Sequence, residues 1–245
     1  DAEMRNREEE TVCCIRVEAV NTGKVPRYAW FRAPRMTGVG HKEFDGATGS
    51  SVVKSDKVYA VSLVNGSAMP NEEMAILVQP GEAAVLEMFI PHQVISKPRA
   101  QRLAGLDFDE HHRACRRFWE DKLASASQIS VPEAAIDERI KAGLLHCDVV
   151  ALGREPNGNI LATIGWYSPI GSESSPIIQF FDSMGWHKLA ERSIQFFLDR
   201  QRADGFIQNF GGYQLETGPA LWTAGEHYRY TRDDAWVRRV KAKLL

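Results

Sequence analysis

Three stretches decide how this chain folds: Gly165-Trp166-Tyr167-Ser168-Pro169-Ile170-Gly171-Ser172-Glu173, Met184-Gly185-Trp186-His187, and Gly205-Phe206-Ile207-Gln208-Asn209-Phe210-Gly211-Gly212-Tyr213-Gln214-Leu215-Glu216. Each interrupts segments whose apolar residues recur at helical spacing, which predicts helices near 173–184, 187–202, 217–231 and 234–245. Aromatic, amide and carboxyl residues collect in the interruptions rather than in the helices. Helices facing one another with such loops at one end predict a helical barrel, and the loop chemistry suits sugars. An open solenoid would need sequence self-similarity, and none is present.

Upstream the period is different. Residues 11–20, 27–32, 57–64, 74–78 and 83–91 read as strands, with turns at Asn21-Thr22-Gly23-Lys24, Asn65-Gly66 and Gln79-Pro80-Gly81-Glu82. Short strands at this spacing predict an antiparallel β-sandwich, with further strands expected before Asp1. Helical spacing begins near Pro98. Asp107 is the expected N-cap of a helix running to about Leu123, and Ser130-Val131-Pro132-Glu133 opens another that carries Ile136, Ile140, Leu144 and Leu145 and ends near Gly153. The predicted organisation is a β-sandwich over 1–97, a linker helix within 98–129, and the first part of a helical barrel over 130–245.

Composition excludes several classes. The chain has 245 residues, 44% apolar and 25% charged, with a net charge of −2, which leaves no electrostatic footprint for nucleic acid or an anionic membrane. No apolar run approaches the roughly 20 residues of a spanning helix. The opening Asp1-Ala2-Glu3-Met4-Arg5 lacks the layout of a signal peptide, so a cytoplasmic protein is expected, or a secreted or periplasmic one if its true start lies upstream. Cys13, Cys14, Cys115 and Cys147 have no zinc-like spacing and read as buried free thiols. Neither metal nor cofactor is expected: His111 and His112 are adjacent and point apart on a helix, and no P-loop, nucleophile elbow or HExxH is present.

The order of these parts resembles a known superfamily. A sandwich, a linker helix bearing Arg117-Phe118-Trp119-Glu120-Asp121-Lys122-Leu123, and Ser130-Val131-Pro132-Glu133 opening the first barrel helix are similar to the six-hairpin glycosidases, which include glucoamylase-like and rhamnosidase-like hydrolases and disaccharide phosphorylases. Leu189 to Gly205 resembles their third helix and its stop, and Glu216 to Tyr228 the opening of their fourth, where an acidic residue contacts sugar. Ser172-Glu173 stands where such proteins carry Arg-Asp. The resemblance implies an (α/α)₆ barrel, of which this chain covers the first part, and it places the proton donor and the base beyond Leu245.

Glycoside cleavage needs two carboxyl groups across the bond, roughly 6.5–9.5 Å apart for direct attack by water and about 5–5.5 Å for a covalent intermediate. Within the loops the candidates are Glu216 and Glu173, each of which also suits a helix N-terminus simply by complementing its dipole. Trp166, Tyr167, Tyr213 and Trp222 offer faces for stacking on a pyranose, and the amides of Gln208 and Asn209 suit neighbouring hydroxyls. The expected function is an inverting glycoside hydrolase. The alternatives are a disaccharide phosphorylase or polysaccharide lyase on the same scaffold, and a non-catalytic carbohydrate-binding protein. The expected partner is a carbohydrate substrate. Half a barrel would expose Ile177, Phe180 and Phe181, so further chain or a homo-oligomer is expected to cover them.

Overall fold

The computed structural model describes residues 11–35, 40–153, 158–164, 168–209 and 216–245. They form a mixed α+β chain with ten strands and seven helices among the described residues. The chain divides into two compact units, Asp1–Cys115 and Arg116–Leu245. No described helix is long and apolar enough to cross a membrane.

The first unit carries β1 (Val12–Val20), β2 (Arg27–Arg32), β3 (His41–Asp45), β4 (Ser50–Val53), β5 (Val58–Val64), β6 (Ser67–Ala68), β7 (Glu73–Val78) and β8 (Ala83–Pro91). All described pairings are antiparallel: one sheet runs β1-β8-β5-β4-β3 with β6 on β5, and a second joins β2 to β7. Val/Ile alternation sets the faces. Phe31 and Val78 of the small sheet meet Ala84, Leu86 and Val64 of the large one in a shared core. β5 is buried along its whole length, as a central strand should be.

The turn chemistry acts as expected at Asn65-Gly66, where φ is +49° and +77°, a pair that an Asn-Gly hairpin turn accommodates. The turn at 79–82 differs from a hairpin, because β7 pairs with β2 while β8 pairs with β1 and β5. It carries the chain from one sheet to the other, as does the turn after β1. Asn21 staples the two crossings: it is buried, its Nδ2 donates to the Val25 and Val78 carbonyls at 2.9 and 2.8 Å, and its backbone N–H donates to the Glu82 carbonyl at 2.9 Å. On the other face of the large sheet, Val61, Leu63 and Phe89 pack with Ile95 and with Ala100 of α1 (Lys97–Leu103), a short helix opened by Pro98.

The division between the units falls inside α2 (Phe108–Ala124), whose start is capped by Asp107 Oδ1 accepting the Glu110 N–H at 3.1 Å. The second unit continues with α3 (Ala134–Val149), the small pair β9 (Leu152–Gly153) and β10 (Ile160–Leu161), then α4 (Gly171–Ser183), α5 (His187–Asp199), α6 (Thr217–Thr231) and α7 (Asp234–Leu244). α3 stops at Val149, short of Gly153, because β9 and β10 take up the segment beyond it. Leu144 is buried, whereas Ile136, expected on the same apolar face, is 47% exposed.

Two further expectations are corrected. Ile177 and Phe181 are buried, at 7% and 0% exposure, since α4 turns that face onto the core with Ile194, Phe196, Phe197 and Trp236. Phe180, the third residue of that expected patch, is half-buried against the same core. The cysteines are free but none is buried: Cys13 and Cys115 are exposed, Cys14 and Cys147 half-buried. Desolvation, and then the neighbouring Asp148, pushes the Cys147 thiol up from its ordinary value.

Candidate functional site

α4 and α6 begin side by side. A Cβ built on Gly171 would lie 2.5 Å from the Glu216 carbonyl oxygen and 2.7 Å from its Cα, so the two chain segments touch backbone to backbone. Only glycine permits that approach. Ser175 Oγ donates to the Pro219 carbonyl at 3.1 Å, tying the first turn of α6 to α4.

The loop after α5 joins the same place. Asn209 Nδ2 donates to the Pro169 carbonyl and the Asn209 N–H donates to Glu216 Oε1, both at 2.8 Å. Thr217 Oγ1 accepts the Ile207 N–H at 2.9 Å and donates to the Ile207 carbonyl at 3.1 Å. Two interhelical segments, the one around Pro169 and the one that carries both Asn209 and Glu216, thus meet at one end of the helical unit. The side chain of Gln208 is half-buried between two residues fixed in this way.

Placement assigns the candidates different jobs. Glu216 is 0% exposed, and its Oε1 is engaged by the loop backbone, so its carboxylate braces the 207–209 segment. For Glu216 to touch a sugar, the sugar would have to reach an oxygen that the fold now seals. Glu173 is half-buried in the first turn of α4. Two residues after Gly171, it projects about 200° around the helix from the flank that meets Glu216. Glu173 therefore lies on a different flank of α4 from the one that meets the Glu216 backbone.

Trp222 is 55% exposed and lies on the face of α6 opposite its buried residues Ala220, Thr223, Ala224 and His227. One turn to either side are Gly218 and Gly225, and a Cβ at either position would meet nothing within 4 Å. The indole is thus left with an uncovered surface. Glycines four before and three after a tryptophan are a signal legible in sequence. Trp166, Tyr167 and Tyr213 lie outside the described residues.

A second polar cluster sits near the other end of α4. Asp182 is buried, and its Oδ1 lies 2.9 Å from Nδ1 of both His187 and His227, with Oδ2 3.0 Å from the latter. Both imidazoles thus present Nδ1 to the same carboxyl group. His227 is packed edge-on to Trp236 at 4.7 Å between ring centroids. The cluster ties the end of α4 to the start of α5 and the middle of α6. Sequence spacing offered one hint, His187 five residues after Asp182 across a tight turn, and none for His227.

Among the described residues no group of three or more His, Cys, Asp or Glu side chains is placed to hold a metal ion. In comparisons with known proteins, no family model matches the chain and no curated protein matches it.

Proposed function

We propose that this chain forms the sugar-gripping part of a glycoside hydrolase built as a β-sandwich followed by (α/α)₆-type helical hairpins. One observation carries the reading: the segment before α4 and the loop between α5 and α6 converge at the paired starts of α4 and α6, where Asn209 is tied to both Pro169 and Glu216 with Gln208 beside it. The up-down-up run of α4, α5 and α6 is consistent with hairpins alternating between an inner and an outer layer. In this reading Trp222 stacks on a pyranose ring, and the Gln208 amide bonds adjacent hydroxyls. Glu216 holds the loop that carries Gln208, and Glu173 is the carboxylate assigned to proton transfer.

A specific observation favours a second reading, a non-catalytic carbohydrate-binding protein: Glu216 is sealed, and Glu173 stands on another flank. Sugar release from a panel of aryl glycosides, measured beside sugar binding, separates the two. The hydrolase reading expects turnover in the parent and a loss of about 100-fold or more in Glu173→Gln with binding retained. Binding without turnover in the parent selects the second reading. Neither binding nor turnover across the panel removes both.

A further inference from the structure

Within the first unit a cleft of about 910 Å³ opens between the outer face of the large sheet and the helices α1 and α2. That volume is in the range of sites that take small organic ligands. Its floor is apolar, from Val12 and Cys14 of β1, Ile95, and Leu103 and Leu106 beside α1. Its rim is basic: Arg99 and Arg102 from α1, and the imidazoles of His111 and His112 from α2. None of the described lining residues is acidic.

One wall is fixed in place. The Arg16 guanidinium lies 4.2 Å from the ring centroid of Phe108 and is hydrogen-bonded at 2.7 Å to both Asp109 and Glu87. Phe108 in turn stacks on His112 at 5.9 Å between centroids. These contacts hold the start of α2 at β1 and β8, so the cleft is a formed feature. An apolar hollow of this size left to water forgoes the burial that its surface would otherwise gain.

We propose that this cleft binds a small soluble anionic amphiphile, an apolar chain or ring on the Val12–Leu103 floor with an anionic head at Arg102 and the neighbouring imidazoles. A guanidinium at the mouth of an apolar hollow recognises such a head by charge-assisted hydrogen bonds, which an alcohol of the same length does not supply in equal strength. The inference is independent of the sugar-binding reading and concerns different residues.

The site contains its own reporters. Cys14 and Cys115 line the cleft, whereas Cys13 is exposed and does not line it. Desolvation, and next the charges of Cys13 and Cys115, push the Cys14 thiol up from its ordinary value, which fits thiols gathered at one place. The test is alkylation of the full chain by iodoacetamide, read per cysteine by peptide mass spectrometry, with sodium decanoate, 1-decanol or sodium acetate present. Decanoate is expected to protect Cys14 and Cys115, but not Cys13, at concentrations at least about tenfold below those needed with decanol or acetate.

Arg102→Gln, at an exposed position, is expected to remove the preference for decanoate over decanol. Ala114→Trp, also at an exposed position that lines the cleft, is expected to abolish protection by filling the space. Equal protection by decanol overturns the proposal, as does a preference that survives Arg102→Gln. So does the absence of any protection. Cys14 and Cys115 that resist alkylation without ligand while Cys13 reacts would mean that chain already fills the cleft, which also overturns it.

Discussion

Gly171 and Glu216 touch at the starts of α4 and α6, and eleven residues further along each helix Asp182 meets His227. Contacts at equal offsets mean that the two helices run parallel and in step, with α5 returning between them. The upper contact is steric and the lower one polar, and together they fix the end at which the loops gather. Gly171→Ala would drive a Cβ to within 2.7 Å of backbone atoms that cannot swing aside. A loss of about 1–3 kcal/mol in urea unfolding is expected, together with weaker sugar binding because the two helix starts separate. Unchanged stability would mean that the contact is looser than described.

Asp182→Asn keeps the shape of the side chain but replaces one of the two oxygens that face the imidazoles of His187 and His227 with an amide NH₂. The expected cost is about 3 kcal/mol, since hydrogen bonds to a charged acceptor are lost in a buried setting. Denaturant midpoints check this, and His187→Ala alone should cost clearly less because that imidazole is 41% exposed.

Asn21→Ala removes the staple between the two sheet crossings and strands the Val78 carbonyl and the Gly23 N–H. A loss of about 2–3 kcal/mol is expected. The effect should fall on the first unit, and hydrogen exchange along β1, β2 and β7 would show it.

The acid limb of stability has identified contributors. Asp233, the N-cap of α7, is held below the ordinary carboxylate range chiefly by the Trp236 N–H, and Asp109 chiefly by Arg16. A carboxyl whose folded value is depressed contributes fully above its unfolded value, about 3.9. That contribution is lost as pH falls through the lower folded value. Asp233→Asn retains a cap but not this charge. Its melting temperature should therefore fall less steeply between pH 4 and pH 2 than that of the parent. Parallel curves would exclude Asp233 as a contributor.

Much of this fold was written in local pattern. The apolar β-forming runs of β1, β5 and β8, the Asn65-Gly66 turn and the Asp107 cap all specify their conformations within a few residues. β3 and β4 escaped because His41–Asp45 and Ser50–Val53 are short, mostly polar and separated by glycine. The assignment of β7 and β8 to different sheets depends on non-local pairing, which the turn between them does not encode. At the candidate site, loop residues were identifiable as polar and aromatic. That Glu216 would be sealed and Trp222 left bare followed only once α6 was seen to turn Ala220 and Ala224 inward. Glu173 and Glu216 look alike in sequence as first-turn acids, and only packing separates their flanks.

Sugar binding at the paired starts of α4 and α6 is tested most directly by hydrogen exchange of the full chain, with and without a saturating oligosaccharide drawn from a panel. Joint slowing is expected in the segments 168–174, 207–209 and 216–222, with the rest of the helices little changed. Slowing confined to one of those segments, or located elsewhere, would contradict it.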